Sequence, residues 1–253
     1  MMNMPMLRFL SWLPILFILS ITTHPLAGAD RSTILVFGDS LSAGHGIALS
    51  QGWVNLLTQR LTQHGYPHRV INASISGDTS RGGLARLPAA LERYHPAIII
   101  LELGGNDGLR GLSLRTLETN LATMIELAQQ AGAQVLLAEM RIPPNYGPRY
   151  TQKFQAIYRN LAKRYDVALV PFLLKGVADN PALMQSDGIH PRVEAQTRIL
   201  DNIWPILKSE LTESNAQTQD LSAKRAPFPA AAKTMPCLPA ITRSAVCRSR
   251  AAV

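Results

Sequence analysis

Ser40, His190 and Asp187 are residue types that can build an acyl-transfer relay, and two of them already stand at a useful spacing. A serine hydroxyl is a weak nucleophile. It needs a base within hydrogen-bond reach and a third group to orient that base. Ser40 lies in GDSLS (38–42), where Gly38 lets the backbone bend sharply ahead of it. The competing reading is that Ser40 only caps a helix starting there. Of the 6 histidines, His24 lies within the N-terminal segment 1–29, His64 and His68 flank a Gly-Tyr-Pro turn, and His95 precedes Pro96. His45 is near Ser40 along the chain, in a loop whose direction the sequence does not set. His190 sits in DGIHP (187–191), where a single turn brings the Asp187 carboxylate to the imidazole. There the aspartate takes the Nδ1 proton, fixes the tautomer and stabilises the imidazolium. A capped helix start before Pro191 also accounts for the aspartate, but it leaves the histidine idle.

Acyl transfer also needs donors aimed at the oxyanion of the tetrahedral intermediate. The candidates are the backbone N–H of Ser40, that of Gly77 in SGDTS (76–80), and the side-chain amide of Asn106 in GGND (104–107). Each segment alone reads equally as an ordinary turn. Together they supply different required parts of one site. There is no G-x-S-x-G elbow, which argues against an ordinary α/β-hydrolase. Neither a G-x-G-x-x-G after the first strand nor a P-loop is present, so dinucleotide and nucleotide readings fall. No Cys/His cluster has zinc-ligand spacing, so no structural metal is expected.

The elements that must position these residues follow from hydrophobic periodicity. Strand-like runs are Thr33 to Phe37, Arg69 to Asn72, Ala97 to Leu103, Gln134 to Ala138 and Val167 to Val170. They are short, and the third is almost continuously apolar, as suits strands buried on two faces of a parallel sheet. Helical patterns lie between them at 51–64, 79–93, 114–131 and 150–165, and a last helix is expected to open at Pro191. This alternation predicts an α/β layered fold with a flavodoxin-like strand order. GDSLS, SGDTS and GGND follow the first three strands and DGIHP follows the fifth, so all of them reach the carboxyl edge, where such sheets bind ligands.

At 253 residues and 47% hydrophobic content the chain can bury a sizeable single core. Of the net charge of +8, +1 belongs to residues 1–29 and +5 to residues 216–253, leaving +2 for 30–215. The folded body is nearly neutral and carries no aromatic-interleaved basic patch, which excludes a nucleic-acid partner. Arg8, the apolar run Phe9 to Ile21 and the small residues Ala27-Gly28-Ala29 read as a cleavable export signal over 1–29. That run is 13 residues with Pro14 inside it, short of the roughly 20 needed to span a bilayer. A periplasmic or secreted protein follows, with no stable membrane insertion after cleavage after Ala29; the alternative is an uncleaved anchor. The hydrolase-like body is expected over 30–212. Residues 213–253, rich in Ala, Ser, Gln and Pro, read as a basic disordered extension that holds Cys237 and Cys247. A disulfide between those two would close only a tail loop.

FGDSLSAGHGI (37–47), NASISGDTSRGGLARLP (72–88), LELGGNDGLRG (101–111) and DGIHP (187–191) together resemble the blocks of the SGNH, or GDSL, hydrolases. The likeness runs along about 31–210. RIPPNYGPRY (141–150) and FQAIYRNLAKRYDVALVPF (154–172) make it most like the exported bacterial acyl-CoA thioesterase, lysophospholipase and arylesterase subgroup. The resemblance implies a three-layer α/β/α sandwich around a five-stranded parallel sheet. It implies hydrolysis of small-molecule or lipid acyl esters and thioesters without a cofactor. Ser40 is then the nucleophile, Asp187 and His190 complete the triad, and Ser40, Gly77 and Asn106 form the oxyanion hole. It also implies an acyl groove beside a mobile loop, here Gly108 to Ser113 with Leu109 and Leu112, faced by Ile142 and Tyr146; plain core packing is the alternative for these apolar residues. His45 departs from the pattern, which leads one to expect an aromatic residue such as Tyr. A carbohydrate or peptidoglycan O-acetyl esterase uses the same machinery on a small acyl group. A non-catalytic flavodoxin-like binding module is disfavoured by the complete serine, histidine and aspartate set.

Overall fold

The computed structural model describes residues 32–225, with side chains through Leu211. The expected leader, Cys237 and Cys247 lie outside the described residues. Strands β1 (Thr33–Gly38), β2 (Arg69–Asn72), β3 (Ile98–Glu102), β4 (Gln134–Ala138) and β5 (Ala168–Val170) form a 5-stranded parallel sheet in the order β2-β1-β3-β4-β5. The most apolar run, β3, takes the centre of that order. Every residue of β1 and β3 is buried, which requires cover on both faces of the sheet. The half-buried β2 sits at an edge.

Helices connect the strands: α1 (Ser40–Ala43), α2 (Trp53–Gln63), α3 (Ser80–Tyr94), α4 (Gly105–Leu109), α5 (Leu114–Gln130), α6 (Pro148–Tyr165) and α7 (Gln196–Arg225). In α5 the buried residues Leu117, Leu121, Met124, Ile125 and Ala128 recur at helical spacing, and burying each large side chain contributes about 1.5–3 kcal/mol. Helices α3, α5 and α6 pack side by side as one layer. Across the sheet, Arg60 of α2 pairs with Asp201 of α7 at 2.8 Å, and the Trp53 N–H is received by the Gln196 carboxamide. The result is the three-layer sandwich with the flavodoxin-like strand order.

Two local expectations need correction. The last helix does not open at Pro191. Pro191 instead bridges Met184 in an antiparallel pair, Gln185 N–H donates to His190 O at 2.7 Å, and Arg192 N–H donates to Leu183 O at 2.8 Å. Those bonds hold 183–192 as a folded-back loop, so helix begins only after the 3₁₀ turn Val193–Ala195. The segment beginning at Gly108 is also not all loop, because α4 extends to Leu109. The described residues divide into two compact units between Ile206 and Leu207, and α7 runs to Arg225, beyond the boundary at 212 drawn from composition. Among the described residues no helix is long and apolar enough to cross a membrane.

Candidate active site

The turn after β1 settles what Ser40 does not do. Asp39, not Ser40, caps α1: its Oδ1 accepts the Leu41 N–H at 3.1 Å. The Ser40 hydroxyl is left free, and it lies 2.8 Å from His190 Nε2. Behind it, the β1–β3 register places Gly38 beside Glu102. A Cβ at Gly38 would run into the Glu102 carboxyl, so glycine is what lets this acid pack under the turn. Glu102 Oε2 accepts from Ser42 Oγ at 2.6 Å and from the Asp39 N–H at 3.2 Å, while Oε1 has no partner.

Asp39 and Glu102 are buried carboxyls that interact directly. Burial pushes Asp39 up to about 6, against hydrogen bonds from Leu41 and Asn106 that favour its charge. Full burial, and next the charge of Asp39, push Glu102 well above the ordinary carboxylate range. Two adjacent anions sealed from water are too costly to coexist, so the pair keeps a proton at neutral pH and Glu102 holds it. Sequence reasoning missed this pair. The available signal was Glu102 as the one charged residue in the apolar run 97–103.

The neighbouring loops are tied to the same platform. Arg86 donates from Nε to Asp78 at 2.7 Å, from one terminal nitrogen to Ala73 O and from the other to Gly38 O at 3.2 Å, while its guanidinium lies over Phe37. It thus clamps the first two polar loops together. Buried Asp107 accepts from Ser80 N–H at 2.8 Å and Ser80 Oγ at 2.6 Å, which joins the second loop to the third. Among the described residues no acceptor of the chain takes the amide N–H of Ser40 or of Gly77, so both remain open donors. Asn106 differs: its Nδ2 donates to Asp39 Oδ2 at 3.1 Å and to Asp78 O at 2.9 Å, so an incoming oxyanion has to compete for it.

The loop after β5 works by local turn chemistry. Asp187 Oδ1 accepts the N–H groups of Ile189 and His190 at 2.9 and 3.0 Å, and Oδ2 accepts from His190 Nδ1 at 2.7 Å. The bonds from the His190 backbone and ring, with that from Ile189, hold the Asp187 carboxyl well below the usual range. The carboxylate is therefore ionised, as the orienting role requires.

A cavity of about 460 Å³ opens beside Ser40, Asn106 and His190. Its apolar wall includes Leu109, Met140, Ile142, Pro143, Phe172 and Met184. Leu109 and Ile142, two of the four residues expected in an acyl groove, line this cavity. Leu112 and Tyr146 lie outside the cavity lining: the Tyr146 hydroxyl turns to Leu109 O at 2.7 Å, and Leu112 faces solvent with 43% exposure. Tyr146 thus holds the backbone of Leu109, a residue of the lining. Arg141, which also lines the cavity, is held by buried Glu139 at 3.0 Å.

The profile of the GDSL-like lipase/acylhydrolase family matches residues 36–198. The chain is 55% identical over 180 residues to esterase TesA of Pseudomonas aeruginosa, covering 71% of this chain and 90% of that protein. It is 47% identical over 189 residues to thioesterase 1/protease 1/lysophospholipase L1 of Escherichia coli K12, covering 75% and 88%. A crystal structure of TesA superposes with a TM-score of 0.69 at 55% identity, over 70% of this chain and 99% of the other.

Proposed function

This chain belongs to the GDSL-like lipase/acylhydrolase family and is a hydrolase of carboxylic esters and thioesters; we propose that it works through an acyl-enzyme on Ser40, with His190 as base and Asp187 as its orienter. The observation that carries this reading is the continuous relay from Ser40 Oγ to His190 Nε2 at 2.8 Å and from His190 Nδ1 to Asp187 at 2.7 Å. His190 Nε2 takes the hydroxyl proton as Ser40 Oγ bonds to the acyl carbon, and Asp187 stabilises the imidazolium. The carbonyl oxygen, now an oxyanion, is received by the N–H groups of Ser40 and Gly77 and by the Asn106 amide. As the C–O or C–S bond breaks, His190 returns the proton to the leaving alkoxide or thiolate. Water then attacks the acyl-enzyme, again losing its proton to His190, and the acid departs with Ser40 restored. Asp39 supports the cycle from behind, since its charge interacts favourably with protonated His190.

The largely apolar wall of the cavity favours acyl chains longer than acetyl, carried by small-molecule or lipid esters and thioesters. Export by the leader 1–29 places the activity in the periplasm or outside the cell. The test is a p-nitrophenyl ester series from acetyl to dodecanoyl on the mature protein and on Ser40→Ala. The expected result is a preference for chains beyond acetyl that vanishes with the serine. A strong acetyl preference favours the O-acetyl esterase reading instead, and hydrolysis retained by Ser40→Ala rejects the assignment of the nucleophile.

A further inference from the structure

We propose that His45, His190 and Asp187 form an inhibitory site for a nitrogen-preferring divalent cation, with Zn²⁺ the best-suited ion. The three residues offer ligand atoms that all lie within 4.8 Å of one another. Spacing along the chain gave no hint of this set, because His45 comes from the turn after β1 and the other two from the loop after β5. The inference rests on the reading of His190 as the catalytic base, and it adds a way to switch that base off.

The backbone of His45 is fixed on both sides. Its N–H donates to Ser40 O at 3.1 Å, and its carbonyl accepts from Gln185 Nε2 at 2.8 Å. The same Gln185 nitrogen donates to Pro191 O at 3.1 Å. Gly46 has φ +74°, and a Cβ there would collide with the Gln185 carboxamide, so glycine permits this close approach. His45 is thereby tied to the nucleophile's turn and to the loop that carries the base. Its ring lies 4.2 Å from the His190 ring, centroid to centroid, at an interplanar angle of 37°. Neither ring nitrogen of His45 has a hydrogen-bond partner among the described residues, and the side chain is exposed. It is an unused ligand beside a used one.

Zn²⁺ binds imidazole nitrogen and carboxylate oxygen at about 2.0–2.2 Å in a tetrahedron and readily keeps one water. Ligands on one such ion sit roughly 3–3.5 Å apart, so the ligand atoms have to close by up to about 1–2 Å from their 4.8 Å limit, which rotation of the exposed His45 side chain supplies. Both nitrogens of His190 are already employed. Ligation at Nε2 displaces the Ser40 hydroxyl, whereas ligation at Nδ1 requires the tautomer with the ring proton on Nε2, which can then no longer accept from Ser40, and inserts the cation between His190 and Asp187. Either geometry breaks the relay. Mg²⁺ and Ca²⁺ prefer oxygen ligands and hold imidazole poorly.

The experiment follows ester hydrolysis by the purified mature protein during titration with ZnCl₂, alongside calorimetric titration of the same samples. A site of roughly 10 µM affinity lowers the rate about tenfold near 100 µM free Zn²⁺, and a chelator restores it. Mg²⁺ at the same concentration leaves the rate unchanged. His45→Phe keeps a ring against His190 but removes the ligand nitrogens, so the inhibitory concentration rises at least about tenfold relative to that variant's own metal-free rate. Inhibition that persists undiminished in His45→Phe overturns the proposal. Calorimetry on Ser40→Ala separates the site from the catalytic assignment: a binding heat that His45→Phe abolishes supports the site whatever Ser40 does. Saturating Zn²⁺ with undiminished hydrolysis refutes the inhibitory role and counts against His190 as the base.

Discussion

Ser40 stands on a turn whose neighbours Asp39, Ser42 and Glu102 are at most 3% exposed, whereas Asp187, the proposed orienter of its proposed base, keeps 40% of its side chain in solvent. The nucleophile's side is fixed by burial. Its polar groups are held by a strand register, the buried Asp39–Glu102 pair and the Arg86 clamp, none of which can shift without exposing or orphaning a buried group. The base's side is fixed by short-range bonds within 183–192, by the tie from Gln185 to the His45 carbonyl and by one carboxylate that stays charged. A sealed platform holds the serine at a fixed distance from its neighbours, while the loop that carries His190 keeps Asp187 in contact with solvent. That same solvation is what opens His190 and Asp187 to a cation.

The sharpest way to break this division is to remove a chemical part from each side. Ser40→Ala is expected to lower kcat by roughly 10⁴–10⁶-fold. Asp187→Ala should cost about 10⁴-fold, and both variants should keep the wild-type melting temperature within a few degrees. Loss of fold in either would mean that it acts structurally. Asn106→Ala should cost about 10²–10³-fold in kcat with KM little changed; a KM effect alone would remove it from the oxyanion hole.

Stability should divide the two regions as cleanly. Glu102→Gln replaces a protonated acid with a neutral amide of the same shape and is expected to fold and turn over near wild-type levels. Glu102→Ala leaves Ser42 Oγ and the Asp39 N–H without their acceptor and should destabilise by about 2–4 kcal/mol. Equal damage from both would show that Glu102 is ionised.

The pH dependence should carry opposite signs on the two sides. Because the folded-state pKa of Asp39 is raised to about 6 from 3.8, the folded protein binds more protons than the unfolded chain between those values. Its contribution to stability therefore falls as pH rises from about 4 through 6, by on the order of 1–3 kcal/mol. Asp187 is depressed instead, so its contribution is present above the ordinary carboxylate range and is lost as pH falls. Denaturant melts from pH 3 to 8 should show Asp39→Asn flattening the fall between about 4 and 6, and Asp187→Asn flattening the acid-side loss. The smallest effect is expected at the partly exposed pair Arg60–Asp201, where Arg60→Ala should cost less than about 1 kcal/mol.

Much of this was legible in the residues. Apolar runs marked all the strands of the sheet, and residue type with spacing singled out Ser40, Asp187 and His190, which the structure brings within hydrogen-bond reach, because strands buried on two faces and a D-x-x-H turn are local signals. The contacts that read less well depend on distance along the chain. The Asp39–Glu102 pair exists only through the β1–β3 register, and Arg86 gains its role by meeting carbonyls of two other loops. Pro191 looked like a helix start because nothing local revealed its bridge to Met184. Leu112 and Tyr146 looked like groove residues because apolar type does not say which way a loop residue faces.

The most direct test of the account is to treat the mature protein with a fluorophosphonate and locate the adduct by peptide mass spectrometry. The expected outcome is one phosphonyl group per chain on Ser40, at a rate that collapses in His190→Ala and survives in Glu102→Gln. An adduct on another residue, or full-speed labelling of Ser40 without the imidazole, would contradict the claim that these distant loops form one relay.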